Sequence, residues 1–285
     1  MRVGNGGNNM KRIIIIIGVV LAVSCSKSQE SPKVDDSMVT WVFKAPSTKA
    51  SLNASGAFSW SKGDQIAIWD ATSGSFITFT TGSGSGRFSA TAPASANFTT
   101  SAFYPATLAS ESGITLPSSY TAADLSAGGG MPMFAAVEDN SDILNFKHLS
   151  AYITVQVNNL PGFADRISVG SPSVSLSGAF NLTDAGAGIR KIQASSGNAC
   201  VTYNFSPSAG HSFSYTIPVP VGEYALYLEA GDAGTPDFIH VETDSVNFQR
   251  GHLYSLSVID GSASSYTITV ISESYALESD NSNWE

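Results

Sequence analysis

His240, Glu242 and Asp244 stand two residues apart, and in an extended strand that spacing puts three side chains on one face. An imidazole and two carboxylates so placed could hold a divalent metal ion. A solvated polar strand face accounts for the same residues and is the favoured reading. The four histidines, His148, His211, His240 and His252, form no H-E-x-x-H element or other close pair, so zinc lacks its usual spacing. The acidic stretch Glu138-Asp139-Asn140-Ser141-Asp142 could bind Ca²⁺ weakly. It lacks the spaced ligands, turn glycine and terminal glutamate of an EF-hand loop, which favours an ordinary hairpin loop. Gly82, Gly84 and Gly86 are wrongly spaced for a dinucleotide loop and lead into no helix. No G-x-S-x-G elbow occurs. Cys200 has no histidine or base beside it in sequence and reads as a buried structural thiol. Trp41, Trp60 and Trp69 could stack on a sugar, but their places in apparent strands favour core packing. The expectation is a chain with no catalytic residues, no metal site and no cofactor.

Cys25 is the residue with a chemistry of its own. Lys11 and Arg12 precede an apolar run over residues 13–23, which ends at the small Ser24 and then Cys25. A basic start, a short apolar stretch and a small residue at the cut describe a secretory signal peptide. The run falls short of the roughly 20 apolar residues that span a membrane. Leu21-Ala22-Val23-Ser24-Cys25 matches the bacterial lipobox, with its leucine one place further from the cysteine than is commonest. The expectation is a leader over 1–24, a diacylglycerol on the Cys25 thiol, and a polar tether over 25–36. Met10 would serve such a leader better than Met1 as a start.

Without residues 1–24 the chain carries 11 Lys and Arg against 23 Asp and Glu, a formal charge of −12. Phosphate backbones would repel it, which excludes nucleic acid as a partner. With Cys25 lipidated, Cys200 is alone, so no intrachain disulfide is available and the fold rests on its core.

Charged residues are only 13% of the chain, and short runs alternate apolar with polar residues between Gly, Pro, Asn and Asp. Strands are expected at 41–44, 65–69, 76–80, 87–90, 152–157, 213–219, 223–229, 239–243, 253–258 and 266–271. Gly63-Asp64 reads as a tight turn, and Pro105 as the end of a strand whose edge it keeps from pairing. No long window has a 3.6-residue apolar period. The fold class is all-β, and the 8–12-residue spacing of turns suggests sandwiches. Asn158-Asn159-Leu160-Pro161-Gly162 divides the chain into two β-sandwich domains, 37–158 and 159–285. His148, between Phe146 and Leu149, reads as a hydrogen-bonded core or interface histidine.

Six segments follow one another along the chain: Trp41-Val42-Phe43-Lys44-Ala45, Trp60-Ser61-Lys62-Gly63-Asp64-Gln65-Ile66-Ala67-Ile68, Phe103-Tyr104-Pro105, Met131-Pro132-Met133, Leu144-Asn145-Phe146-Lys147-His148-Leu149-Ser150-Ala151, and Gln249-Arg250-Gly251-His252-Leu253-Tyr254. Over residues 40–260 they resemble the fimbrillin family, including the Mfa-like (minor fimbrium) lipoproteins of Gram-negative gut and oral anaerobes. The second segment is similar to the family's W-x-x-G-D-x-I-x-V element, the fifth to L-x-F-x-H-x-x-A, and the last to a late G-x-x-Y strand start.

The resemblance implies two transthyretin-like, Greek-key β-sandwich domains, export to the cell outer membrane as a lipoprotein, and a place in a fimbrium or pilus. It implies adhesion and assembly rather than catalysis. Stalk subunits of the family lose their first strand to an Arg- or Lys-specific protease, and the groove accepts the C-terminal strand of another subunit. Here the strand lost would be residues 41–45 and the cut would fall at Lys49. The donor would be 266–271 in the tail 262–285, with Tyr266, Ile268 and Val270 on one face. The alternative is that both segments pair within their own domains, as suits an anchor, a tip or a stand-alone adhesin. Implied partners are other fimbrial subunits, the outer membrane through the lipid, and a host or glycan ligand. A stand-alone lipoprotein that binds glycan or host protein is the second functional reading. A surface hydrolase is the third, and it requires acidic or histidine side chains converging in a cleft.

Overall fold

Runs rich in Thr, Val, Ile and aromatic residues favour the pleated backbone. They form strands almost throughout the computed structural model, which describes residues 37–45, 60–126, 131–138, 141–157, 164–186, 189–205, 213–231, 239–261 and 265–276. The strands of the first half are β1 (Met38–Lys44), β2 (Gln65–Asp70), β3 (Ser75–Thr81), β4 (Arg87–Pro93), β5 (Phe98–Tyr104), β6 (Ala109–Ser110), β7 (Gly113–Leu116), β8 (Ser119–Tyr120), β9 (Met133–Ala135), β10 (Lys147–His148) and β11 (Ala151–Val157). Those of the second half are β12 (Arg166–Gly170), β13 (Gly178–Gly186), β14 (Ile189–Ile192), β15 (Val201–Asn204), β16 (Phe213–Val219), β17 (Gly222–Tyr224), β18 (Tyr227–Gly231), β19 (Ile239–Glu242), β20 (Val246–Phe248), β21 (His252–Gly261) and β22 (Ser265–Ala276). A 3₁₀ turn at Ala106–Leu108 and the helix α1 (Ala122–Ser126) are the helical pieces of the described residues. The all-β reading therefore holds.

Seven strands form one sheet in the order β1-β4-β3-β2-β5-β9-β10. Its β2–β3 turn is built by Asp70, whose carboxylate accepts the N–H groups of Thr72 (3.0 Å), Ser73 (3.2 Å) and Asn97 (2.7 Å). Gly63, at φ +92°, makes the expected turn, and the N–H of Ser61 donates to the Asp64 carboxylate at 2.7 Å. One face of the sheet buries Phe43, Trp60, Ile66, Ile68, Phe79, Phe88, Tyr104, Met133, Leu144 and Phe146. Trp60 meets Phe88, Tyr104 and Phe146 edge-on, with centroids at 4.9, 5.1 and 5.8 Å. The sheet's two ends meet: Ile143, shortly before β10, bridges Lys44 at the end of β1. That contact closes the sheet around its aromatic core.

Pro105 ends β5 as expected, but β5 lies between β2 and β9 inside the sheet, so this proline guards no edge. The sheet's other face, through Phe103 and Phe134 and with Leu108 and Leu149 from adjoining turns, packs against Ile114, Phe180 and Ile192. Phe180 and Ile192 come from a second sheet, β14-β13-β7-β6.

Two further sheets, β16-β11-β21-β22 and β19-β18-β12-β15-β8, enclose a second core that includes Ile153, Val155, Ile167, Val169, Tyr203, Ile217, Leu228 and Leu256. β11 pairs with β16 antiparallel and with β21 in parallel, so residues 151–157 build this second core. β7 and β8, from residues 113–120, likewise pair with β13 and β15. The expected division point lies among residues 158–163, outside the described residues. Among the described residues no helix is long and apolar enough to cross a membrane.

Candidate functional site

β1 is the terminal strand of the seven-stranded sheet, and its sequence, MVTWVFK, alternates. Phe43 is buried, with its ring edge-on to Phe79 (5.3 Å) and Phe98 (5.7 Å). Trp41 is half-buried, packs on Phe98 at 5.0 Å, and donates its indole N–H to the Pro93 carbonyl at 3.2 Å. Ala45 is fully buried. Along its inner side β1 pairs with β4 over seven residues, Met38 with Pro93 through Lys44 with Arg87.

The outer side differs between the strand's two halves. Lys44 turns its main chain away from β4: its N–H donates to the Asp142 carbonyl and its own carbonyl accepts the Leu144 N–H, both at 2.7 Å. Antiparallel pairing alternates the direction of the main-chain groups, so Met38, Thr40 and Val42 also present theirs outward, where no described strand lies. The Lys44 ammonium pairs with the Asp142 carboxylate at 2.7 Å, both side chains about half exposed. Met38, at 59%, and Ile143, at 43%, are the exposed large hydrophobic residues of the described chain, and both belong to this edge.

Just past β1, Ala45 donates its N–H to the Gly86 carbonyl at 2.7 Å and accepts the Trp60 indole N–H at 2.9 Å. Gly86 has φ +74°, and a Cβ there would fall on the Ala45 carbonyl oxygen, so the close approach requires glycine. The glycine-rich run 82–86 thus joins β3 to β4 and seats the end of β1. Sequence reading singled out Trp41–Ala45 but gave Gly86 and the segment 142–144 no part in holding it. Only the glycine pattern hinted at the first, and nothing local marks the second.

Of the other expected site residues, Cys25 and Lys49 lie outside the described residues. Tyr266, Ile268 and Val270 fall in β22, the terminal strand of its sheet, opposite Asp260, Val258 and Leu256 of β21. The candidate donor strand therefore pairs within its own chain, as does β1.

His148 is the buried, hydrogen-bonded histidine expected. Its Nδ1 lies 2.7 Å from the Tyr152 hydroxyl, and the hydroxyl lies 3.3 Å from the Pro132 carbonyl. Arg250 donates to the His148 carbonyl at 2.9 Å. Burial, with the charges of Arg250 and Lys147 behind it, pushes the imidazole's pKa down to about 3. His148 therefore stays neutral, and it ties β10, the beginning of β11 and the turn before β21 together.

His240 does share a strand face with Glu242, at 3.2 Å, but its other partner is Glu229 on the neighbouring β18, at 3.0 Å. β19 ends at Glu242, so the alternation does not reach Asp244. Hydrogen bonds to the carboxylates of Glu242 and Glu229 raise the His240 pKa. His240 and Glu242 are exposed and Glu229 is partly so. Among the described residues no group of His, Cys, Asp and Glu could hold a metal ion. In the acidic stretch 138–142, Asp142 serves as the partner of Lys44. Cys200 is half-buried rather than buried, because it precedes β15 and lies outside the pleat. Trp60 is a core residue, while Trp41 and Trp69 are only half-buried.

No protein-family model matches the sequence, and no curated protein matches it. Among solved structures, a "putative cell adhesion protein" from Bacteroides ovatus aligns over 81% of this chain and 95% of its own, with 18% identity and a TM-score of 0.52. A protein of the same description from Bacteroides fragilis aligns over 82% and 95%, with 12% identity and a TM-score of 0.41. The tip fimbrial protein Mfa3 from Porphyromonas gingivalis, truncated at its C-terminus, aligns over 82% and 100%, with 9% identity and a TM-score of 0.38. The last two scores are too low to argue a shared fold. The first is not: this chain has the fold of the Bacteroides ovatus protein, in keeping with the fimbrillin-like motifs of its sequence.

Proposed function

We propose that this chain is a non-catalytic cell-surface subunit of a fimbrium, working in adhesion and in assembly by β-strand exchange. It is carried to the outer membrane as a lipoprotein through Cys25. The observation that supports this most is the situation of β1. It is the terminal strand of its sheet, it contributes Phe43 and Ala45 to an aromatic core, and it is followed by the Lys-containing stretch 46–59. Loss of such a strand leaves unpaired main-chain groups beside apolar pockets, the surface that templates another chain. The fold in common with the Bacteroides ovatus adhesion protein supports the same reading. We further read the two cores as tandem transthyretin-like units, with β22 as the strand donated to a neighbouring subunit.

The test is limited trypsin digestion of the unlipidated chain, residues 26–285, run unheated on a denaturing gel. A ladder of multimers that appears only after a cut near Lys49 is expected of a stalk subunit. An intact or clipped monomer with no ladder counts against exchange triggered by the cut alone. It leaves an anchor or a stand-alone lipoprotein that binds glycan or host protein, which a glycan and host-protein binding screen then addresses.

A further inference from the structure

We propose that residues 142–144 are a latch on β1, so that cutting the chain behind β1 does not by itself release the strand. The inference rests on the strand-exchange reading and adds a control to it.

A terminal strand is ordinarily gripped on one side. Among the described residues β1 is gripped on one side only from Met38 to Val42, and around Lys44 it is gripped on both. There the Lys44 N–H and carbonyl bind Asp142 and Leu144 while the residues on either side of Lys44 face β4 and the turn before it, and the Lys44–Asp142 ion pair spans the same junction. The ion pair is half exposed and screened, so the main-chain bonds carry more of the grip. Immediately beyond, Ala45 is fixed by Gly86 and by the Trp60 indole.

The latch is itself rooted in the fold. Leu144 is fully buried and Phe146 nearly so, in the same core as Phe43, and β10 follows at once. Ile143, between Asp142 and Leu144, points outward.

The distribution of contacts sets a direction. The expected cut at Lys49 lies beyond the tightly held end of β1, and the loosely held end is Met38, 59% exposed. Peeling cannot start from the cut. It has to start at Met38, draw out Trp41 and Phe43, and break the latch last. A subunit clipped behind β1 therefore stays closed until something opens residues 142–144 or competes for the outer edge of residues 38–42.

The experiment places a site-specific protease sequence over residues 49–55 of the 26–285 chain, cuts it, and follows the fragment bearing β1 by gel filtration and mass spectrometry. The cut wild type should keep the fragment. Asp142→Lys should lose it about fivefold faster, the size expected when a half-exposed attraction becomes a repulsion. The exchanged pair, Lys44→Glu with Asp142→Lys, should restore retention. If Asp142→Lys melts before it is cut, Asp142→Asn replaces it, since that change keeps the main-chain bond to Lys44. Loss of the fragment from the wild type during cleavage, or equal release rates in wild type and variant, overturns the latch. Strand exchange is tested apart from it. β1 is stripped in denaturant, the remainder is refolded, and a peptide of residues 265–276 is offered. Failure to bind counts against exchange and leaves the latch result standing.

Discussion

The indole N–H of Trp60 donates to the main-chain carbonyl of Ala45 at 2.9 Å, from within the core that Phe43 shares. One side chain thus fills the centre of the closed sheet and holds the end of its terminal strand. Trp60→Phe would leave the Ala45 oxygen unpaired in a buried place and open a small void. The expected cost is about 2–4 kcal/mol, read from the midpoint of urea unfolding. Trypsin should also cut the folded variant near Lys49 faster than it cuts the wild type. An unchanged midpoint would show that the bond is replaced by another partner.

Two glycines separate backbone strain from close approach. Gly63 has φ +92° with nothing within 4 Å of an added Cβ, whereas at Gly86 the Cβ would strike the Ala45 carbonyl oxygen. Gly63→Ala should cost only the torsional strain, about 1 kcal/mol. Gly86→Ala carries the strain and the clash, and should cost about 2–4 kcal/mol while loosening β1. Equal thermal shifts for the two would mean that the Gly86 turn moves aside without resistance.

The strands that sequence reading located are those that bury one face. β16 matches its expected bounds because Phe213–Val219 alternates cleanly. The stretch 223–229, read as one strand, divides into β17, which pairs with β20, and β18, which pairs with β12 and β19; Tyr224, Leu226 and Leu228 keep the two-residue period across the break, so the pattern does not reveal it. β13 was not legible: GAFNLTDAG is mostly exposed and carries no apolar alternation. Periodicity also reports that a face is buried without saying against what. Ile153 and Val155 announced a strand, yet not that β11 would lie between β16 and β21. The bridge from Lys44 to Ile143 joins residues far apart in the chain, and the fit is decided by the curl of the whole sheet. Glu229 joined His240 for the same reason, as a neighbour across strands rather than along one.

Acid should expose the buried neutral state of His148. Its pKa is pushed down to about 3 in the fold, against about 6.5 when unfolded. Between those values the unfolded chain binds the extra proton, so stability falls as pH is lowered from about 6.5 towards 3, by at most about 1.4 kcal/mol per pH unit. His240, raised by its glutamates, has the opposite sign: its contribution is present at low pH and is lost as pH rises through its folded pKa. Being exposed, it contributes little. Urea unfolding between pH 4 and pH 7 should show a slope that His148→Phe flattens. A variant with the wild-type slope would assign the acid sensitivity elsewhere.

Asp70 acts in a lower window. It is 2% exposed and its carboxylate accepts three N–H groups, from Thr72, Ser73 and Asn97. Burial raises its pKa, but the hydrogen bonds, that from Asn97 foremost, outweigh it and bring the value below the ordinary one. A depressed carboxylate contributes stability above its unfolded pKa of about 3.8, and that stability is lost as pH falls through the folded value. Asp70→Ala leaves three donors without their acceptor and should cost about 2–4 kcal/mol at pH 7. Asp70→Asn keeps one acceptor oxygen and should cost about half as much. Both variants should lose part of the acid-dependent destabilisation below pH 4 while keeping the slope between pH 4 and pH 6.5 that belongs to His148. If Asp70→Ala instead flattens the upper window, the turn and the His148 junction are coupled, and the two titrations are not independent.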